Sequence, residues 1–138
     1  MQLTKPIDVE AALAADIKEF VPSTWDVRPQ PAPENLVADA PIVRVYALGG
    51  HDASVVSDEY SVSLDVWAGD GDDYSLAIDA ACDLAGVIAS LPFRTCASKR
   101  DWMSCDAVNK PQPNPDTRHP TVPRVTQNWN VTIRGILT

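Results

Sequence analysis

Residues 110 to 124, KPQPNPDTRHPTVPR, hold five of the chain's twelve prolines in fifteen positions. Proline fixes φ at about −65° and has no backbone N–H, so this stretch can be neither helix nor the interior of a central strand. It is too long for a hairpin turn and too polar for a core, and a connection of that kind inside a small domain signals function or disorder. A second proline run, Pro29, Pro31 and Pro33 within residues 22 to 41, excludes helix there and permits at most a short strand around Trp25 to Arg28. Regular structure must therefore lie between these two extended stretches and at their flanks.

The windows that remain carry clear periodicities. In IDVEAALAADIKEFV, Val9, Leu13, Ile17 and Phe20 recur at helical spacing, Asp8 is placed to cap, and Pro22 ends the segment. PIVRVYALGG reads as a strand stopped by a turn at Gly49-Gly50. In DEYSVSLDVWAGD, Tyr60, Val62, Leu64 and Val66 alternate with Ser61, Ser63 and Asp65, which predicts one buried face and one polar face. GDGDDYSLAIDAACDLAGVIASLP reads as a second helix capped by Asp72 or Asp73, with Ala77, Ala81, Leu84, Ile88 and Leu91 on its apolar stripe and Pro92 at its end. FRTCASKRDWMSCDAVNK reads as a strand. In RVTQNWNVTIRGIL, Val125, Trp129, Val131 and Ile133 share one face, while Thr126, Asn128, Asn130, Thr132 and Arg134 share the other. The order helix, strand, strand, helix, strand, strand predicts an α+β fold: a mainly antiparallel sheet packed against two α-helices, with two proline-rich extended loops.

At 138 residues the chain is the size of one domain, 1–138, and folding buries roughly 68% of its unfolded surface. The formal net charge of −8, with basic residues scattered singly apart from Lys99-Arg100, disfavours a surface that grips nucleic acid. Three cysteines, Cys82, Cys96 and Cys105, form neither a CxxC nor an even-numbered framework and read as core or semi-buried thiols of a reducing compartment. No run approaches the ~18 apolar residues of a membrane span, and MQLTKPIDVE lacks a signal-like apolar stretch.

The residues that carry chemistry do not converge in the sequence. His51 and His119 have no second His or Cys at ligand spacing, so no metal site is expected. DGDD at 70 to 73 lacks the alternating ligands and closing Glu of a calcium loop and reads as a helix-capping turn. There is no G-x-S-x-G, LGGHD is wrongly spaced for a phosphate cradle, and Asp58-Glu59 has nothing converging on it. Asn130-Val131-Thr132 matches a glycosylation acceptor but lies mid-strand. The expectation is no catalytic residue, no cofactor and no enzyme.

The C-terminal third, NKPQPNPDTRHPTVPRVTQNWNVTIRG, resembles the closing segment of long-tailed, siphovirus-type bacteriophage tail terminator (tail completion) proteins. It has a Pro-x-Pro-Asp stretch, then Pro-Arg before an alternating strand and a small polar turn. The N-terminal helix, the proline-broken stretch, PIVRVYALGG, VSLDVWAGD and the alanine-rich helix follow in the order that family shows, while Val125 stands where an aromatic often follows the Pro-Arg pair. The resemblance implies a structural virion protein, made in the host cytoplasm, that forms a hexameric ring on the head-proximal end of the tail tube. Such a ring stops polymerisation and presents the joining surface for the head connector. The implied partners are further copies of the chain, the major tail tube protein and the connector or stopper protein. Double-stranded DNA passes through the lumen without specific binding, and no membrane is involved. An acidic lumen would let duplex slide without sticking. On this reading the two proline-rich stretches are arms that reach a neighbour, and Pro115, Asp116, Arg118 and Arg124 are the candidate contacts to a subunit or the tube. A head-tail stopper or tube subunit of the same machine is the alternative, and a ligand-binding module or small enzyme built on the His51-Asp52 loop is the reading from a different class.

Overall fold

The first helix begins where the sequence supplies a cap, with Asp8 Oδ1 accepting from the Ala11 amide at 3.2 Å. The computed structural model describes residues 4–31, 36, 39–54 and 56–137; part of the first proline-rich stretch lies outside them. In chain order the elements are β1 (Thr4–Lys5), α1 (Val9–Phe20), β2 (Asp26–Pro29), β3 (Ile42–Asp52), β4 (Ser57–Trp67), α2 (Ser75–Ser90), β5 (Trp102–Ala107), β6 (Gln112–Pro113), β7 (Arg124–Arg134) and β8 (Ile136–Leu137). A short 3-10 turn, Leu91–Phe93, extends α2.

The protein is an α+β fold. Its six-stranded sheet has the order β2-β3-β4-β7-β5, with β6 also paired to β7, and β1 and β8 form a separate small ribbon. Every pairing is antiparallel except β2 with β3, whose short strand at Asp26–Pro29 runs parallel to Ile42–Val45. Both helices lie on one face. There Leu13 and Ile17 of α1 and Ala77, Ala81, Leu84 and Ile88 of α2 share one core with Val43 and Val45, Val62, Leu64 and Val66, and Val125, Val131 and Ile133. The small residues in the middle of α2 let that helix sit close on the sheet, close enough for Gln127 Nε2 to donate to the Ala81 carbonyl at 3.0 Å.

Several expectations are corrected. Gly49-Gly50 is not the turn between β3 and β4; both lie inside β3, beside a β-bulge between Ala47 and Gly49. Glycine is needed at position 50 because a Cβ there would run into the Tyr60 ring across the strand pair. The outer face of β4 is not open: Ser63 and Asp65 are as buried as their neighbours. The α2 cap residue is Tyr74, and Asp73 acts one position earlier, its Oδ1 accepting from the Ser75 amide at 3.0 Å and hydroxyl at 2.7 Å. The strand read over 93 to 110 begins only at Trp102, after a turn through Cys96 to Lys99. Finally, Ser75–Phe93 is long and apolar enough, by length and composition alone, to cross a membrane, with mean hydropathy 1.6. It is the helix that packs on the sheet through Ala77, Ala81, Leu84 and Ile88.

Candidate docking surface on the proline-rich segment

The segment 110 to 124 does not stand away from the molecule; it folds back over the outer face of its own sheet. Gln112 and Pro113 pair with Thr126 and Val125, the Asn114 amide donates to the Arg124 carbonyl at 2.8 Å, and the Gly71 amide donates to the Thr121 carbonyl at 2.8 Å. Val122 and Leu36 pack on Ile42 and Trp67, which closes a small second core on the face opposite the helices.

Asp116 is the anchor. It is 8% exposed, and its carboxylate accepts from Trp67 Nε1 at 3.1 Å and from the Arg118 amide at 3.0 Å. His119 Nδ1 lies 2.9 Å away; an ionised carboxylate can only accept, so that nitrogen carries the proton. Burial pushes the Asp116 carboxyl up, but the His119, Arg118 amide and Trp67 hydrogen bonds, with the Arg124 charge, hold it below the usual carboxylate value. Arg124 clamps the backbone of the same loop, its Nε donating to the Asn114 carbonyl at 2.8 Å, and its guanidinium lies 6.0 Å from the Trp67 ring centre.

Trp67 is thus packed between two guanidiniums. Arg44 lies 5.5 Å from its ring centre and 4.6 Å from that of Tyr46. Arg44 is fixed in turn by an ion pair with buried Asp65, whose other oxygen accepts from Thr126 Oγ1 at 2.7 Å. Of the four residues singled out in the sequence, Asp116 and Arg124 face inward as intramolecular ties, while Pro115 and Arg118 are exposed. For Asp116 and Arg124 this corrects the expectation of a free arm: the buried Trp67 side chain needs a hydrogen-bond acceptor, and Asp116 supplies it. Sequence reasoning missed Arg44, Asp65 and Trp67; the one available signal was an aromatic on the polar side of the β4 alternation.

Two further clusters arise elsewhere. Asp16, Glu19 and Cys96 bring three potential metal-ligand atoms within 4.8 Å of one another. The Asp16 carboxylate already accepts from Trp102 Nε1 at 2.7 Å, Ser98 Oγ at 2.8 Å and Arg100 Nη1 at 3.0 Å. Glu19 accepts from the Ala97 amide at 3.0 Å. With its lone pairs engaged and its charge matched by Arg100, Asp16 is a clasp between α1 and the loop before β5. Burial, with Asp16 and Glu19, raises the Cys96 thiol, and burial with Asp106 pushes Cys105 up to about 12. Cys82, expected to be at least half-buried, is exposed on α2. The β3–β4 tip gathers His51, Asp52, Asp58 and Glu59: His51 Nε2 is 3.4 Å from Glu59 Oε2, and burial together with Asp52 raises the Asp58 carboxyl. The surface offered by the proline-rich segment is therefore a preformed ridge rather than a pocket for chemistry. Compared with known proteins, the chain matches no family model and no curated sequence.

Proposed function

We propose that the protein is a tail terminator, a structural component of a long-tailed phage virion and not an enzyme. Six copies form a ring on the head-proximal end of the tail tube, stop its growth and offer the joining surface for the head connector, and DNA passes through without specific binding. One observation carries the reading: the stretch that resembles the terminator family is held rigid on the sheet by Asp116 and Arg124, leaving Pro115 and Arg118 outward. A surface ordered before contact loses little entropy when a subunit or tube docks on it. The net charge of −8 supports passage of duplex DNA, since an acidic ring repels a polyanion. Deleting the coding sequence from the phage genome this reading implies should yield abnormally long tails without heads, seen by electron microscopy. Tails of normal length would overturn it.

A further inference from the structure

A cavity of about 340 Å³ opens where the loop before β5 meets the end of β7, and it gathers three basic residues on an acidic protein. Lys99, Arg100 and Arg134 line it against one carboxylate, Asp101, and Ile7 and Ile133 give it an apolar floor. Arg100 spends Nη1 on buried Asp16, and Arg134 spends Nε on Asp101 at 2.9 Å. The Lys99 ammonium has no partner among the described residues. The loop that carries it is fixed in place: Ser98 is bonded to Asp16, and the Lys99 amide donates to the Cys96 carbonyl at 3.0 Å. No ion pair joins Lys99 to the acids of the β3–β4 tip among the described residues.

The complementary surface begins at the other end of the same strand. Asp70, Asp72, Asp73, Asp79 and Asp83 lie in the turn before α2 and along the helix as far as its middle, and none forms an ion pair among the described residues. Leu76, 62% exposed, precedes Asp79 and Asp83 at helical spacing, so an apolar side chain and two carboxylates make one ridge. The bonds from Gly71 to Thr121 and from Ala68 to Pro123 tie this region to the start of β7, whereas Arg134 ends it. The Gln127 bond to the Ala81 carbonyl sets Asp79 and Asp83 beside the middle of β7, seven residues short of Arg134, so at ~3.4 Å per residue they lie roughly 24 Å from the cavity. One copy cannot reach its own cavity with its own ridge.

We infer that the cavity binds aspartate carboxylates of a second copy of this chain: Asp79 and Asp83 lie against Lys99 and Arg134, and Leu76 covers the apolar floor. The contact is head to tail, because each copy offers a cavity at the end of β7 and a ridge beside its middle. That the contacts close into a ring rests on the terminator reading; the contact itself does not.

The test is charge reversal in the full-length protein, read by light scattering and sedimentation at low salt. Lys99→Glu and Asp83→Lys should each weaken self-association at least about tenfold. Mixed together they should associate again, because the intact ridge of one variant meets the intact cavity of the other and the two reversed surfaces are complementary in charge. The double variant Lys99→Glu with Asp83→Lys should regain association, which separates lost contact from lost folding. A wild-type chain that stays monomeric at high concentration, or single variants that associate like wild type, would overturn the inference. In the second case a ring through another surface would remain open to the terminator reading. Association through this contact into open filaments would instead sink that reading and leave the contact standing.

Discussion

Asp116 shows how one side chain can reverse the meaning of a segment. Its residue type, position and proline neighbours suit an exposed handle, yet its carboxylate sits under the loop and satisfies the Trp67 indole, a backbone amide and His119. Truncation to Ala leaves buried donors unmet, which costs about 2 kcal/mol of stability. Replacing exposed Arg118 by Ala changes stability by no more than about 0.5 kcal/mol. Urea unfolding of the two variants checks the contrast; equal losses would mean that Asp116 is not the anchor. The sign of the pH dependence follows from the lowered carboxyl. Its contribution is fully present above the unfolded value of 3.8 and is lost as pH falls through the folded one. The stability gap between wild type and Asp116→Asn should therefore narrow as the solution is acidified below about 4. A gap that holds constant would refute the assignment.

At the level of elements, β4 and β7 pair over eleven residues each and carry both cores of the sheet. The helix-facing core was legible because Val62, Leu64, Val66, Val125, Val131 and Ile133 repeat at period two, and the pleat turns that repeat directly into a face. The outer core was not legible, since its cover arrives from a segment 49 positions beyond Trp67 and local pattern holds no record of it. Gly49-Gly50 misled for a related reason. Glycine marks either a turn or a close approach, and here the Tyr60 ring, not the chain reversal, needs the space. Of the candidate surface, the proline-rich ridge and its exposed Pro115 and Arg118 could be read in advance, and of the cationic cavity only the Lys99-Arg100 pair. The β3–β4 tip carries its own test. Burial and Asp52 raise the Asp58 carboxyl, so its ionisation opposes folding and the wild type should gain stability as pH falls from neutral through the raised value. Asp58→Asn should be more stable than wild type at pH 7, and thermal midpoints across pH should show that the variant lacks the gain. A less stable variant would show that the charge helps the hairpin.

Taken whole, the molecule places opposite surface chemistries at the two ends of β7 and keeps the outward side of α2 uncovered, Cys82 included. That cysteine makes the helix a reporter. A thiol reagent should label Cys82 quickly in the folded protein, while Cys96, buried, and Cys105, half-buried, both with thiols shifted upward, react much more slowly until the protein unfolds. Rapid labelling of all three thiols would show that the fold opens easily, and loss of Cys82 labelling on assembly would mark α2 as covered in the complex. The place of β7 between β4 and β5 also governs how the protein comes into being. A ribosome makes β7 after β2, β3, β4 and β5, so those strands emerge with the centre of their sheet missing and their apolar faces unmatched. Such non-local closure makes folding a late, all-or-none event, and a chain cut short before Arg124 would lose the strand on which both halves of the sheet converge.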